Sequence, residues 1–358
     1  MRDSSDLTFF LGAGASAPFG IPTMKQLVVN FEEMLENNGT DEELNVFRDI
    51  KNTLENVLQR PTDLEDVFTV IDGIINYGLD RIGLLAAYSS IINFTKIPSQ
   101  PAERVICVKL QKKFENFIRR ECMIPEKSFP EIFNVYQDLY TKISASTQRS
   151  SSNTHLSRGT VRYCTWTIFT TNYDTCLEYF WRERVRANLY TGFRYDQSRH
   201  TQVLDTVFKK TNDLTLVKLH GSLNWMLEPD GTIVEEIAPP GRSYIGRTYE
   251  GPMMIYPIQQ KELYLEPYVS MFSRLNRELQ DRMNWVIIGY SFNDPIVREI
   301  FLKNSDDGKR IVFLHPHADD VIKEHLSDLR GEIFPLKDYF GQHEKYQNVN
   351  QEIVDNLE

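Results

Sequence analysis

The sequence predicts an α/β chain: a Rossmann-like, doubly wound, mostly parallel sheet that carries an all-helical insertion. Three observations lead there. Short apolar runs that end in glycine or small polar residues recur at 7–11, 164–170, 214–221 and 285–291, with a further run at 310–316. Segments of helical period follow several of them, and strands alternating with helices build parallel sheets. Between about 40 and 145 the strand signal vanishes and only helical periods remain.

The elements follow in order. LTFFL (7–11) reads as a short buried strand. IPTMKQLVVNFEEMLENNG reads as a helix, with Pro22 suited to its first turn, apolar Leu27, Val28, Phe31, Met34 and Leu35 on one face, and Gly39 as terminator. Five stretches of helical spacing then run from DEELNVFRDI to PEIFNVYQDLYTKIS, including RIGLLAAYSSIINF at 81–94. SASTQRSSSNTHLSRGT (144–160) is polar and serine-rich, a candidate mobile loop. The α/β rhythm then resumes. CTWTIFT, LTLVKLHG, PMMIYPI, WVIIGYS and RIVFLHP read as strands, the last as the final one; DTCLEYFWRERV, YVSMFSRLNRELQDRM and DPIVREIFLKN read as helices. The expected organisation is a catalytic domain from 1–38 and 160–340, a helical insertion at 39–159 and a polar tail at 341–358.

The totals set limits. A chain of 358 residues with 41% hydrophobic and 25% charged residues has enough apolar material for a large core. A formal charge of -10 argues against a nucleic-acid groove, which needs clustered Lys and Arg. The Arg-rich stretches at 118–122 and 181–186 read as solvated helix faces. Four cysteines, Cys107, Cys122, Cys164 and Cys176, form no C-x-x-C pair, so no metal is expected. Sparse cysteines and a start without a signal-peptide pattern fit the cytoplasm. No apolar run approaches the ~18 residues of a membrane span.

Four strand ends carry chemistry. Gly12, Gly14 and Ala17 satisfy G-x-G-x-x-[G/A] after the first strand, a pattern that lets backbone approach a pyrophosphate. An ordinary dinucleotide fold also places an acidic residue ~20 residues on, at the end of its second strand. That distance lands on Glu32 and Glu33, inside a helix pattern, so an adenosine ribose would be held from elsewhere. Thr170, Thr171, Asn172, Tyr173 and Asp174 follow the next strand, and Asp174 reads equally as a helix cap. His220 ends an apolar strand before Gly221 and is a candidate general base. Gly289, Tyr290 and Ser291 end a fourth run, with Asp294 before Pro295 as a ribose ligand or a cap.

Together these motifs resemble the sirtuins. Gly12-Ala13-Gly14-Ala15-Ser16, then three residues, then Gly20-Ile21-Pro22, is similar to the sirtuin signature G-A-G-x-S-x-x-x-G-I-P at identical spacing. Thr171-Asn172-Tyr173-Asp174 resembles the sirtuin Q-N-I-D element, and His220-Gly221 the catalytic H-G. GYSFNDP (289–295) is similar to a loop of the bacterial sirtuin-like branch associated with phage defence. The resemblance covers about 1–37 and 160–320. Two departures stand out: the cysteine pairs of the deacetylase zinc module are missing, and Thr23-Met24-Lys25 stands where deacetylases carry Asp-Phe-Arg.

The resemblance implies an NAD glycohydrolase, as in the effectors of Thoeris, short-Argonaute and HerA-associated systems, which deplete NAD and abort infection. NAD would be substrate, its pyrophosphate on Gly12, Ala13, Gly14, Ala15 and Ser16. Pro22, Thr171, Gly289, Tyr290, Ser291 and Asp294 would complete the binding set. Asn172 would orient water and ribose, His220 would act as general base, and Asp174 would hold ribose hydroxyls or stabilise positive charge. Cyclisation stays open beside hydrolysis. Homo-oligomerisation is expected, as is a partner such as a HerA-type ATPase, an Argonaute-like protein or another sensor. The alternatives are a non-catalytic NAD or ADP-ribose sensor and, more remotely, a protein deacylase or ADP-ribosyltransferase.

Overall fold

The structure, a computed structural model, describes residues 7–64, 66–75, 101–152, 166–184, 189–198, 201–205, 214–235, 252–254, 266–342 and 345–357. Two compact units divide the chain. Met1–Ile21, Met123–Met254 and Leu263–Glu358 form one, and Pro22–Cys122 is the body of the other. The helical insertion expected at 39–159 is bounded differently: the first long helix goes with the helical unit, and the chain from Met123 goes with the sheets.

In chain order, β1 is Leu7–Leu11, α1 Met24–Asn38, α2 Asp41–Leu58, α3 Pro101–Glu121 and α4 Phe129–Ser152. Residues 66–75 are also helical. Then come β2 (Trp166–Thr170), α5 (Cys176–Arg184), β3 (Leu189–Tyr190), β4 (Phe193–Asp196), β5 (Thr201–Leu204), β6 (Leu214–Lys218), β7 (Gly221–Leu227), β8 (Ile233–Glu235) and β9 (Pro252–Met254). The chain ends with α6 (Tyr268–Asp281), β10 (Asn284–Ile288), α7 (Pro295–Asn304), β11 (Arg310–Leu314), α8 (Ala318–His325), β12 (Glu332–Leu336) and α9 (Tyr346–Asp355).

Among the described residues the main sheet has seven strands in the order β12-β11-β10-β1-β2-β6-β3, and every pairing is parallel. The strands β1, β2, β6 and β10 are buried along their whole length. That burial explains why they read as continuous apolar runs rather than alternating ones, as strands covered on both faces do. On one face Leu7, Phe9, Leu11, Ile168 and Val286 pack with Ile132, Val135 and Leu139 of α4, Phe180 of α5 and Ile353 of α9. On the other, Phe10 and Trp285 meet Phe301 of α7 edge-on, at 5.1 and 5.4 Å between ring centroids.

Several elements differ from expectation. RIVFLHP is not the last strand: β12 pairs beside it, and its EIFPL contains a proline, tolerated because β12 is an edge strand. The polar tail at 341–358 contains α9, which buries Val349, Ile353 and Val354. Asn350 ties it to α4 through Val135 O (3.2 Å) and Asp138 Oδ2 (3.0 Å). The serine-rich stretch expected as a mobile loop begins inside α4, which runs to Ser152; residues 153–160 lie outside the described set. The helix expected at 81–94 also lies outside it. A second, antiparallel sheet, with five strands among the described residues in the order β4-β5-β8-β7-β9, was not anticipated. Three of its strands, β4, β5 and β8, are short and partly exposed, and their composition gives little period to read.

The helical unit is organised around Phe31. Its ring meets Phe47, Phe68, Phe114 and Phe117 at 5.2, 5.7, 5.7 and 5.1 Å. Thr40 and Glu43 form a capping box at the start of α2. Pro22 lies just before α1 rather than in its first turn, because Thr23 takes the capping position and pairs with Gln26.

Ile353 is fully buried within the core that joins α4, α9 and the sheet. The substitution Ile353→Ala should lower unfolding free energy by about 2–4 kcal/mol, read as a drop in the urea midpoint with an unchanged slope.

Candidate functional site

The register of the sheet brings four strand ends to one edge. Leu11 lies level with Thr170 on one side and with Ile288 on the other, and Thr170 is level with Lys218. The segments that follow, beginning at Gly12, Thr171, Leu219 and Gly289, therefore emerge side by side at the carboxyl ends of parallel strands. The chain runs from β1 to β2 on one side, while β10 pairs on the other. That is a topological switch point, where such sheets open a crevice.

At the switch point two glycine segments touch through their backbones. Gly12 N donates to Ile288 O and Gly14 N to Gly289 O, both at 2.9 Å. A Cβ on Gly289 would lie 2.4 Å from Gly14 C, and one on Gly12 would lie 2.6 Å from Gly289 O. Gly289 also has φ +64°, a left-handed conformation. The Gly-rich stretch does not open an α-helix directly. It forms two 3-10 turns, Ala13–Ala15 and Ala17–Phe19, and α1 begins only at Met24. Ala13 and Gly14 stay half-exposed, whereas Ala15 and Ser16 are buried.

Asn172 reaches across to this loop. Its Nδ2 donates to Gly12 O at 2.9 Å and to Ser16 Oγ at 3.0 Å. The loop that carries it is held by Thr170, whose hydroxyl donates to Leu11 O (2.9 Å) and accepts from Asn172 N (3.0 Å). Thr171 N donates to Leu11 O at 3.3 Å. Two strand ends distant in sequence are thus joined by one side-chain amide.

His220 sits in the turn between the two sheets: β6 ends at Lys218 and β7 starts at Gly221, whose φ is +82°. The imidazole is buried, with Nε2 3.5 Å from Asp294 Oδ2. The other carboxylate oxygen of Asp294 caps α7, accepting from Ile296 N (2.9 Å) and Val297 N (3.4 Å). Of the neighbouring expected binding residues, Ser291 is half-exposed, and the Tyr290 ring packs on Phe10 (4.8 Å) and Phe292 (4.9 Å) in the core. Pro22 belongs to the other compact unit.

Asp174 acts as a cap. Its Oδ1 accepts from Cys176 N at 3.0 Å, and its side chain is buried. Burial, and then the Asp174 charge, push the Cys176 thiol well above its ordinary range, so it is not a ready nucleophile. Sequence reasoning missed Lys218. The residue is 1% exposed, and its Nζ donates to the carbonyls of Asp174 and Tyr173 and to Glu178 Oε1 at 3.0 Å. A lysine that closes an apolar strand two residues before a histidine is the signal that was present. Glu235 completes this group: burial, and then the nearby Glu178 charge, raise its carboxyl to about 7. Asn224 Nδ2 (3.3 Å) and Thr191 Oγ1 (3.4 Å) donate to it. No cluster of His, Cys, Asp or Glu suited to a metal occurs among the described residues, and none of the described helices is long and apolar enough to cross a membrane.

Residues 167–328 match the SIR2-like domain. No curated protein sequence matches the chain. Among solved structures, a triply substituted Sir2 homologue in complex with 2'-O-acetyl ADP-ribose is similar, at 13% identity and TM-score 0.43, covering 98% of this chain and 91% of that one. A Sir2 homologue with ADP-ribose (13%, TM-score 0.41, 98% and 91%) and one with NAD (13%, TM-score 0.41, 98% and 88%) are similar as well.

Gly289→Ala should cost more than about 3 kcal/mol, because the methyl meets backbone that cannot yield and the left-handed φ adds strain. Thermal unfolding should show a large fall in midpoint. Glu235 yields a pH test. Folded, it keeps its proton to about pH 7, whereas an ordinary carboxyl releases it near 4.5. Between those values the folded chain binds more protons, so this group's contribution is whole below pH 4.5 and is lost as pH rises through 7. Glu235→Gln should therefore raise stability relative to the parent by about 3 kcal/mol above pH 7 and leave it unchanged near pH 4.

Proposed function

We propose that the chain is an NAD glycohydrolase that cleaves the nicotinamide–ribose bond to release nicotinamide and ADP-ribose. The observation that carries this reading is the Asn172 amide bonded to Gly12 and Ser16, with His220 at the next strand end of the same sheet edge. The match of residues 167–328 to the SIR2-like domain supports it. The half-exposed Ala13 and Gly14 backbone offers the pyrophosphate a close approach.

The chemistry asks for positioning more than for acid catalysis. Cationic nicotinamide leaves readily, and the transition state carries oxocarbenium character at the ribose. Catalysis then needs a held ribose, a placed water and a proton acceptor. Asn172 supplies the amide that orients ribose and water, and His220 takes the proton from water. Asp174, already committed to capping α5, contributes a fixed negative charge beside the loop. A cell that carries such an enzyme must restrain it. We infer that assembly, or a partner that senses phage infection, does so, and that NAD depletion is the defence output.

Purified chain, alone and with the products of neighbouring genes, should release nicotinamide from NAD. Asn172→Ala and His220→Ala should each lower turnover by at least about a hundredfold while circular dichroism and urea midpoints stay near the parent. Full turnover in both variants would remove these residues from the chemistry. Binding of NAD by calorimetry without product under every activating condition would favour a sensor instead.

A further inference from the structure

We propose that Asp294 is the positioning residue for His220, fixing the ring's tautomer and holding the imidazolium that forms when His220 accepts a proton. The inference rests on the NAD glycohydrolase reading and adds to it a residue that the sequence offers as a ribose ligand or a helix cap.

Three observations lead to it. Asp294 Oδ2 faces His220 Nε2 at 3.5 Å, and both side chains are at least nine-tenths buried. The distance is longer than a formed hydrogen bond and short enough to tighten when ligand closes the site. In addition, Asp294 cannot swing away freely. Its Oδ1 is bound to two backbone N–H groups at the start of α7, and Pro295 stiffens the backbone that follows. A carboxylate anchored by one oxygen presents the other at a fixed point. Finally, the imidazole is seated from the opposite element: the Phe272 ring of α6 lies 6.4 Å away, tilted by 30°.

The chemistry follows from the pairing. A carboxylate at Nε2 selects the tautomer with its proton on that nitrogen, which places the basic lone pair on Nδ1. Water attacks the ribose C1′ as the C1′–N bond breaks, and that bond's electron pair leaves with neutral nicotinamide. The proton lost by the water passes to Nδ1. The resulting imidazolium carries its positive charge beside the Asp294 carboxylate until the proton returns to solvent. Charge and atoms balance: NAD and water yield ADP-ribose, nicotinamide and one proton.

The test separates the cap from the charge. Asn and Ser both cap helices well, so Asp294→Asn and Asp294→Ser keep α7 capped and remove only the carboxylate. Each should lower kcat for NAD roughly ten- to a hundredfold with KM changed by less than about threefold. Nitrogen-15 spectra, with the His220 signals assigned by their loss in His220→Gln, should show the Nε2-protonated tautomer in the parent and a mixture of tautomers in Asp294→Asn. Parental kcat together with unchanged His220 signals in both variants would overturn the proposal. The spectra decide whether Asp294 holds His220 even if the chain proves not to hydrolyse NAD; a failure of that wider reading would appear separately, as no nicotinamide release by the parent or as turnover that survives His220→Ala.

Discussion

The site depends first on one backbone contact, the approach of Gly14 to Gly289. Parallel strands on either side of a switch point normally diverge into separate loops. Here the loops after β1 and β10 stay joined by the hydrogen bonds of Gly12 and Gly14 to Ile288 and Gly289. No side chain fits between them: a Cβ on either Gly14 or Gly289 would come within 2.7 Å of the other's backbone. The joined glycines set the height of Gly12 O and, through the turn that follows, of Ser16 Oγ. Those are the two atoms that receive the Asn172 amide. Glycine is required at this junction because of what lies opposite it, and the openness toward a phosphate is a second consequence of the same bare backbone.

The second constraint is electrostatic. Lys218 is almost fully buried, and an ammonium taken from water costs several kcal/mol unless it is met by partners. Its partners are the two carbonyls of the Asn172-bearing loop and Glu178 of α5. The same strand end therefore holds the loop from below by a charge and continues two residues later into His220. Glu235 remains protonated to about pH 7 because burial disfavours its charged form and the nearby Glu178 charge adds to that.

How far this was legible in the sequence depended on whether a residue's neighbours were local. Strands β1, β2, β6 and β10 were visible because burial on both faces makes them apolar throughout, and each ends in small or polar residues. The site loops were visible for the same reason. The antiparallel sheet was not, since FRYD, TQVL and IVE are too short to show a period. Strand β12 was hidden by its proline, and α9 by an apolar face of only three or four residues in a polar tail. Asp294 was legible as a cap, a local role; its second oxygen's direction toward His220 is set by how β6 and β10 sit in the sheet, across 74 residues of chain, and no spacing encodes it. Lys218 was passed over because a lysine at a strand end is ordinarily solvated.

His220 gains its position from the change of sheet. The chain leaves the parallel sheet at Lys218 and enters the antiparallel one at Gly221, whose positive φ permits the sharp redirection. A histidine in an ordinary β–α loop would move with that loop. This one is clamped between two hydrogen-bonded ladders, and Leu219 N is still bonded to Thr170 O at 2.8 Å. Only the ring torsions remain to be set, and a buried carboxylate and an aromatic ring face it. In the proposed NAD cleavage, whose leaving group departs easily, the barrier left to lower is largely one of placement. For the general-base role proposed for His220, a backbone fixed by two sheets would meet that need at little further entropic cost, which makes the strand-to-strand junction, rather than a mobile loop, a fitting place for it.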